Sequence, residues 1–176
     1  MNKTTYCFGG KAIGKLLFSI IFVFVCQIVL GQVNMTSTGS HTQNFNTLAS
    51  TGTNNTWSNN STITNWYSQR TGSGTVYAAD SGGAPGGNLY SYGASGNSDR
   101  ALGSLGSSNA TAGNFAHGVH LRNTSGVTIT DVKVTYTLEQ WRKSGVTAAQ
   151  GITFYYKISS SAITDLQPNV TSGWTQ

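Results

Sequence analysis

Beyond Gly31 this chain has no cysteine, because Cys7 and Cys26 both lie in the first thirty residues. The downstream part can close no disulfide and is held by packing and hydrogen bonds alone. Charge is nearly as scarce: Asp, Glu, Lys and Arg make up 9% of the residues. Of ten Lys and Arg, three (Lys3, Lys11 and Lys15) sit near the start, leaving seven bases against five acids, a balance of +2. That is no nucleic-acid footprint, which needs clustered Lys and Arg, so no nucleic-acid partner is expected. Amphipathic helical runs are missing too, and no internal repeat of fixed period is visible.

The first residues differ from the rest. Lys3, Lys11 and Lys15 form a basic start, Leu16 to Leu30 (LLFSIIFVFVCQIVL) is apolar, and small Gly31 precedes the polar turn at Gln32. These are the marks of a secretory signal peptide over residues 1–31. A membrane anchor fits less well, because the run is short for the ~20 residues of a spanning helix and Gln27 interrupts it. No stable membrane span is expected after signal cleavage, and the mature chain is expected outside the cytoplasm, secreted or at the cell surface. Residues 32–176 are long enough for one domain with a core. All four tryptophans and seven of the eight tyrosines fall there, which argues for folding despite the abundance of Gly, Ser, Thr and Asn.

The strongest strand pattern lies late. From Val127 to Arg142 (VTITDVKVTYTLEQWR), Val132, Val134, Tyr136 and Leu138 alternate with Lys133, Thr135, Thr137 and Glu139. The apolar phase slips near Thr130-Asp131, where a β-bulge would restore it. Gly151–Ser159 (GITFYYKIS) repeats the pattern with Ile152, Phe154, Tyr156 and Ile158. Val132, Val134, Tyr136 and Leu138 are expected to face the core, and Ile152, Phe154, Tyr156 and Ile158 share one face of the second segment. Weaker strands are read at 43–48, 63–69, 75–79, 89–93, 100–105 and 115–122, parted by Gly- and Asn-rich breakers. Short strands at this spacing predict an all-β fold, an antiparallel two-sheet β-sandwich of jelly-roll type. A two-sheet sandwich would carry a further strand after Gly173-Trp174-Thr175-Gln176, so the module is expected to be incomplete at its C-terminal end.

Several phrases sharpen this reading. Gln43-Asn44-Phe45-Asn46-Thr47-Leu48, Asn65-Trp66-Tyr67 and Leu89-Tyr90-Ser91-Tyr92-Gly93 come first; Ser98-Asp99-Arg100-Ala101-Leu102-Gly103-Ser104, Leu121-Arg122-Asn123-Thr124-Ser125-Gly126 and Tyr136-Thr137-Leu138-Glu139-Gln140-Trp141-Arg142 come after them. In this order they resemble the N-terminal β-sandwich module of large secreted, multi-domain bacterial proteins of the Bacteroidetes type. The resemblance spans nearly all of 43–159, and SDRALGS and YTLEQWR are its most specific parts. It implies an exported, modular context; it brings no chemistry and no site residue.

Catalytic groups are poorly supplied. Glycoside hydrolysis usually sets two carboxylates within about 5–9.5 Å, whereas Asp131 and Glu139 on one strand lie roughly 27 Å apart at ~3.4 Å per residue. No serine sits in a G-x-S-x-G elbow, and the Gly-rich stretch 82–87 lacks the Lys-Ser/Thr ending of a phosphate loop. His117 and His120 are three apart, which in a strand turns them to opposite sides, so no metal pair is expected. Asp80 and Asp99 in Gly-rich loops could hold a structural calcium ion, but neither fits the EF-hand pattern, and a turn at Asp80 and an Asp99–Arg100 pairing suit them better. No cofactor is expected. One face of the 127–142 segment does carry a recognisable surface. Thr135, Thr137, Glu139 and Trp141 form an indole plate with hydrogen-bonding neighbours, as a neutral sugar would need. The structural alternative pairs Glu139 with Arg100 or Arg142 and makes Trp141 a plug at the sandwich rim.

These features point to a non-catalytic extracellular module serving adhesion or carbohydrate binding, with polysaccharide or cell-surface glycan as partner. Two other readings stay open: an accessory domain of an exported hydrolase, and a structural spacer. The export reading makes a direct prediction. N-terminal sequencing of secreted material will start near Gln32; a secreted chain starting at Met1, or one held in the membrane by 16–30, would refute it.

Overall fold

The computed structural model describes residues 31–36, 39–143, 145 and 151–176. The chain divides into two units, Met1–Leu30 and Gly31–Gln176, and every described residue belongs to the second. The expected signal peptide, apart from Gly31, therefore lies outside the described residues.

Among the described residues all regular elements are strands: β1 (Val33–Met35), β2 (Asn55–Thr56), β3 (Trp66–Arg70), β4 (Val76–Asp80), β5 (Asn88–Tyr92), β6 (Ala101–Leu105), β7 (Phe115–Val119) and β8 (Leu121–Asn123). They form a four-stranded sheet ordered β2-β4-β5-β6 and two-stranded sheets β3-β7 and β1-β8. The all-β expectation holds, and five of the six weaker strand readings coincide with β3 to β8. The sixth, 43–48, is a turn closed by Leu48 N–H donating to the Phe45 carbonyl at 2.9 Å.

The purely antiparallel expectation does not hold. β2–β4, β5–β6 and β3–β7 are antiparallel, but β4–β5 and β1–β8 run parallel. Alternation along a strand carries no record of its neighbour's direction. A parallel neighbour ordinarily needs a long crossover. Here 81–87 suffices, because β4 is only five residues long and seven extended residues reach roughly 24 Å. The Asp80 carboxylate starts that return, accepting from Gly82 N–H at 2.6 Å and Ala84 N–H at 3.2 Å. Gly82 sits at φ +93, a conformation that favours glycine.

Strand period places a cluster on each face of the four-stranded sheet. Tyr77 and Leu89 on one face pack with Leu48 and Ile63, and Trp66 of β3 and Phe115 of β7 close over them. On the other face Ala78, Tyr90 and Tyr92 are buried, with Ala101, Leu105 and Trp141 against them. Small residues clear space where the tyrosines lie: a Cβ at Gly103 would run into the Tyr92 ring.

The strongest sequence pattern does not supply the core. Val132, Val134, Tyr136 and Leu138 are 50–61% exposed, and Ile152, Phe154, Tyr156 and Ile158 are 48–88% exposed. No strand is formed by 127–142, so there is no ladder to carry the bulge expected at Thr130-Asp131. The Gly151–Ser159 segment makes one isolated bridge, Tyr156 to Thr175, with both hydrogen bonds at 2.8 Å. The two segments touch through the stacked rings of Tyr136 and Phe154, 6.5 Å apart. Alternation records that a segment is suited to pairing and has an apolar side; it does not record what covers that side.

The packing ranks the side chains energetically. Leu89, 1% exposed, contacts both the cluster on its own face and the partner sheet, so Leu89→Ala should lower the unfolding free energy by about 2–5 kcal/mol. Val134→Ala should change it by less than about 1 kcal/mol. Urea unfolding of both variants checks the order, and equal losses would put the core back at Val134.

Candidate functional site

The surface singled out by sequence meets the four-stranded sheet at its tyrosine face. Tyr90 and Tyr92 project to the same side of β5, and their rings stack 5.0 Å apart at 28°. Trp141 lies on Tyr92 with ring centroids 6.1 Å apart and planes within 4°. Its indole N–H donates to Glu139 Oε2 at 2.7 Å. The next residue fixes the approach of the chain, since Arg142 Nη1 donates to the carbonyls of Gly82 at 3.3 Å and Gly83 at 2.9 Å. A Cβ at Gly82 would collide with the Trp141 carbonyl. The glycine thus serves twice, once for the positive φ and once for this close approach.

Of the four expected site residues, Trp141 is half-buried, while Thr135, Thr137 and Glu139 are exposed. Glu139 and Trp141 are brought together directly; no side-chain hydrogen bond joins either threonine to them. Neither ion pair proposed for Glu139 forms, because its carboxylate holds the indole instead. The Asp99–Arg100 pairing is replaced as well: the Arg100 guanidinium donates to Ser91 Oγ at 2.9 Å, to the Ser91 carbonyl and to the Ala94 carbonyl at 3.0 Å. Asp80 does form the expected turn. Sequence reasoning missed Tyr90, Tyr92 and Gly82 as the seat of Trp141. The two tyrosines are two apart in Leu89-Tyr90-Ser91-Tyr92, which would have put them on one face. Burial, then Tyr90 and Asp80 nearby, pushes the Tyr92 hydroxyl up to about 12, so it stays neutral at any working pH.

A second polar hollow of about 390 Å³ is bordered by Trp57, Asn59, Gln69, Arg70 and Asp165. Its polar groups are largely engaged within the fold. Trp57 Nε1 donates to Asn59 Oδ1 at 2.7 Å, Gln69 binds the 164–166 backbone, and Arg70 reaches Asn88 Oδ1 at 3.0 Å and the Val76 carbonyl at 2.7 Å. Little there remains to recognise a ligand.

The histidines have separate surroundings. His117 of β7 faces Ser68 of β3 across the ladder, its Nδ1 2.9 Å from Ser68 Oγ, while Nε2 lies 3.2 Å from Ser104 Oγ of β6. One ring thereby ties two sheets together. Tyr67 meets His120 edge to face at 6.4 Å. Among the described residues no group of three or more His, Cys, Asp or Glu could hold a metal ion, and no helix is long and apolar enough to cross a membrane. A Ser68–His117 pair has the atoms of a nucleophile and a base, but Ser68 is buried at 8% exposure and no acid orients the ring, whose second nitrogen faces Ser104.

Desolvation of its ring, then Arg70, holds the His117 pKa below the ordinary 6.5. The residue as a whole is exposed, but its ring lies between Ser68 and Ser104, with one nitrogen at hydrogen-bond distance of each hydroxyl. A histidine depressed in the fold binds its proton more readily once unfolded. Its contribution to stability is thus complete above pH 6.5 and is lost as pH falls below that value. The unfolding free energy should decline on acidification from pH 6.5, and His117→Gln should flatten that decline. A variant with the same pH slope as the parent would remove His117 as its source.

Comparison of the chain with protein-family models, with curated proteins and with solved structures returned no match.

Proposed function

We propose that this chain is a non-catalytic extracellular module, a jelly-roll-like β-sandwich of a larger secreted or cell-surface protein, that binds neutral glycan on the Trp141 surface and so serves adhesion. The observation that carries the reading is the seating of Trp141. An indole stacked within 4° of Tyr92 and tethered by Glu139 is a plate whose orientation is set before a ligand arrives. Binding then loses less to the ordering of side chains. The second oxygen of Glu139 offers an acceptor beside it, as sugar hydroxyls require. The scarcity of charge suits a neutral polymer better than an acidic one. The layered contacts of Trp66 and Phe115 on the Leu89 cluster support the sandwich. Export rests on the basic-then-apolar start of the sequence, and the modular context on the resemblance of 43–159 to large exported bacterial proteins.

A structural reading draws on the same contact, since Trp141 also covers Tyr92. Contact of a sugar with an indole face contributes roughly 1–2 kcal/mol at ~25 cal/mol per Å², so one site is weak and retention depends on repetition. Trp141→Ala should abolish retention of the folded module on insoluble neutral polysaccharide while lowering the melting temperature by only a few degrees. No retention of the parent, combined with a large loss of melting temperature in the variant, would leave Trp141 a purely structural role.

A further inference from the structure

The 127–142 segment presents an unusual combination. It is extended, it alternates, and among the described residues no backbone hydrogen bond is made by residues 128–142. Val132, Val134, Tyr136 and Leu138 are at least half exposed. An unpaired strand edge is a template for another strand, and its charges indicate which one. Lys133 and Glu139 stand three residues to either side of Tyr136 with opposite sign. A sequence antisymmetric in charge about one residue is complementary to a second copy of itself turned by a two-fold axis, as an isologous interface requires.

We propose that two copies of this chain associate through antiparallel pairing of their 127–142 segments, with Tyr136 opposite Tyr136 on the two-fold axis. In that register Lys133 of each copy faces Glu139 of the other, Val134 faces Leu138, and Thr135 faces Thr137. Opposite charges placed directly across strands stabilise the pair and like charges oppose it. A slip by one residue sets apolar residues against polar ones throughout. A shift of two residues one way sets Asp131 against Glu139; the other way sets Val134 against Gln140 and Val132 against Arg142. The central register alone satisfies both charge pairs without a like-charge clash. Because the contact is one strand edge, association is weak and concentration-dependent.

The experiment is sedimentation equilibrium of the 32–176 protein between about 1 and 100 μM, with amide hydrogen exchange as a second measurement. The parent should pass from monomer to dimer, with amides of residues 131–141 slowing as the dimer fills. K133E and E139K should each weaken self-association at least tenfold. An equimolar mixture of the two should associate as the parent does, because each copy then supplies the charge the other needs, and the double variant K133E/E139K should self-associate again. E139K also loses the contact to the Trp141 indole, so the double variant and K133E decide the matter if E139K folds poorly. A parent that stays monomeric, single variants that dimerise undiminished, a double variant that does not recover, or a dimer without protection at 131–141 would each overturn the proposal. The readout is mass and exchange, and it is indifferent to whether Trp141 binds glycan.

Discussion

A buried guanidinium stands at the centre of this fold. Arg100 is 3% exposed and has no carboxylate at hydrogen-bond distance; its donors go to the Ser91 hydroxyl and carbonyl and to the Ala94 carbonyl. Burial lowers its pKa, which Asp80 and Asp99 oppose from a distance, yet an arginine stays charged. A charge taken out of water must be surrounded by acceptors or it becomes strongly unfavourable. The neighbouring chain is therefore obliged to turn its carbonyls inward. Ser91 is fully buried, Ala94 closes the loop after β5, and Asn46 Oδ1 accepts the Arg100 amide from the 43–48 turn. The side chain of Arg100 positions β5 and the loop that follows it, and its backbone amide positions the 43–48 turn.

Clamped in this way, β5 has two occupied faces. Leu89 and Ser91 point toward the layer built by β3 and β7, and Tyr90 and Tyr92 point the other way. The first face is closed twice, by Trp66 and Phe115 and by the His117 bridge between Ser68 and Ser104. The second face is covered differently. Its ring stack ends in Trp141, on a segment held by side-chain contacts and by no ladder. The candidate site thus forms where the ordered sheet meets a segment without ladder partners among the described residues, and its indole belongs to both.

How much of this was legible depends on the information each signal encodes. The class of fold was readable, because β-branched and aromatic runs broken by Gly and Asn specify short strands wherever they lie. The closeness of Glu139 and Trp141, two residues apart, was readable from the alternation of their segment, although that segment forms no strand. Burial was not. Val132, Val134, Tyr136 and Leu138 have the cleanest alternation in the chain and are exposed, while Leu48 and Ile63, in segments without clear period, are 4% and 2% exposed. Period measures the regularity of a strand, whereas burial depends on partners that lie elsewhere in the sequence. The parallel β4–β5 pair was hidden for the same reason: its cause is the brevity of β4 and the turn at Asp80-Gly82, neither of which alters the pattern of either strand. Arg100 stood within the SDRALGS phrase, but a lone arginine among small residues does not announce that its partners will be carbonyls.

The unpaired segment joins the two proposals in one geometry. Pairing about a two-fold axis perpendicular to the sheet keeps like faces together, so the Thr135, Thr137, Glu139 and Trp141 sides of both copies would point the same way. In the register centred on Tyr136, Trp141 of one copy lies opposite Asp131 of the other. The two indoles are then ten positions apart along the ribbon, about 34 Å at ~3.4 Å per residue. A single plate of this kind binds weakly. Two held on one surface at a fixed spacing convert the second contact into an intramolecular event, which strengthens retention on a long polymer without any new contact. A short free sugar can reach only one plate and gains nothing. Edge pairing and aromatic stacking would in that case divide the work, the first setting valency and the second setting chemistry, with Glu139 taking part in both through its two carboxylate oxygens.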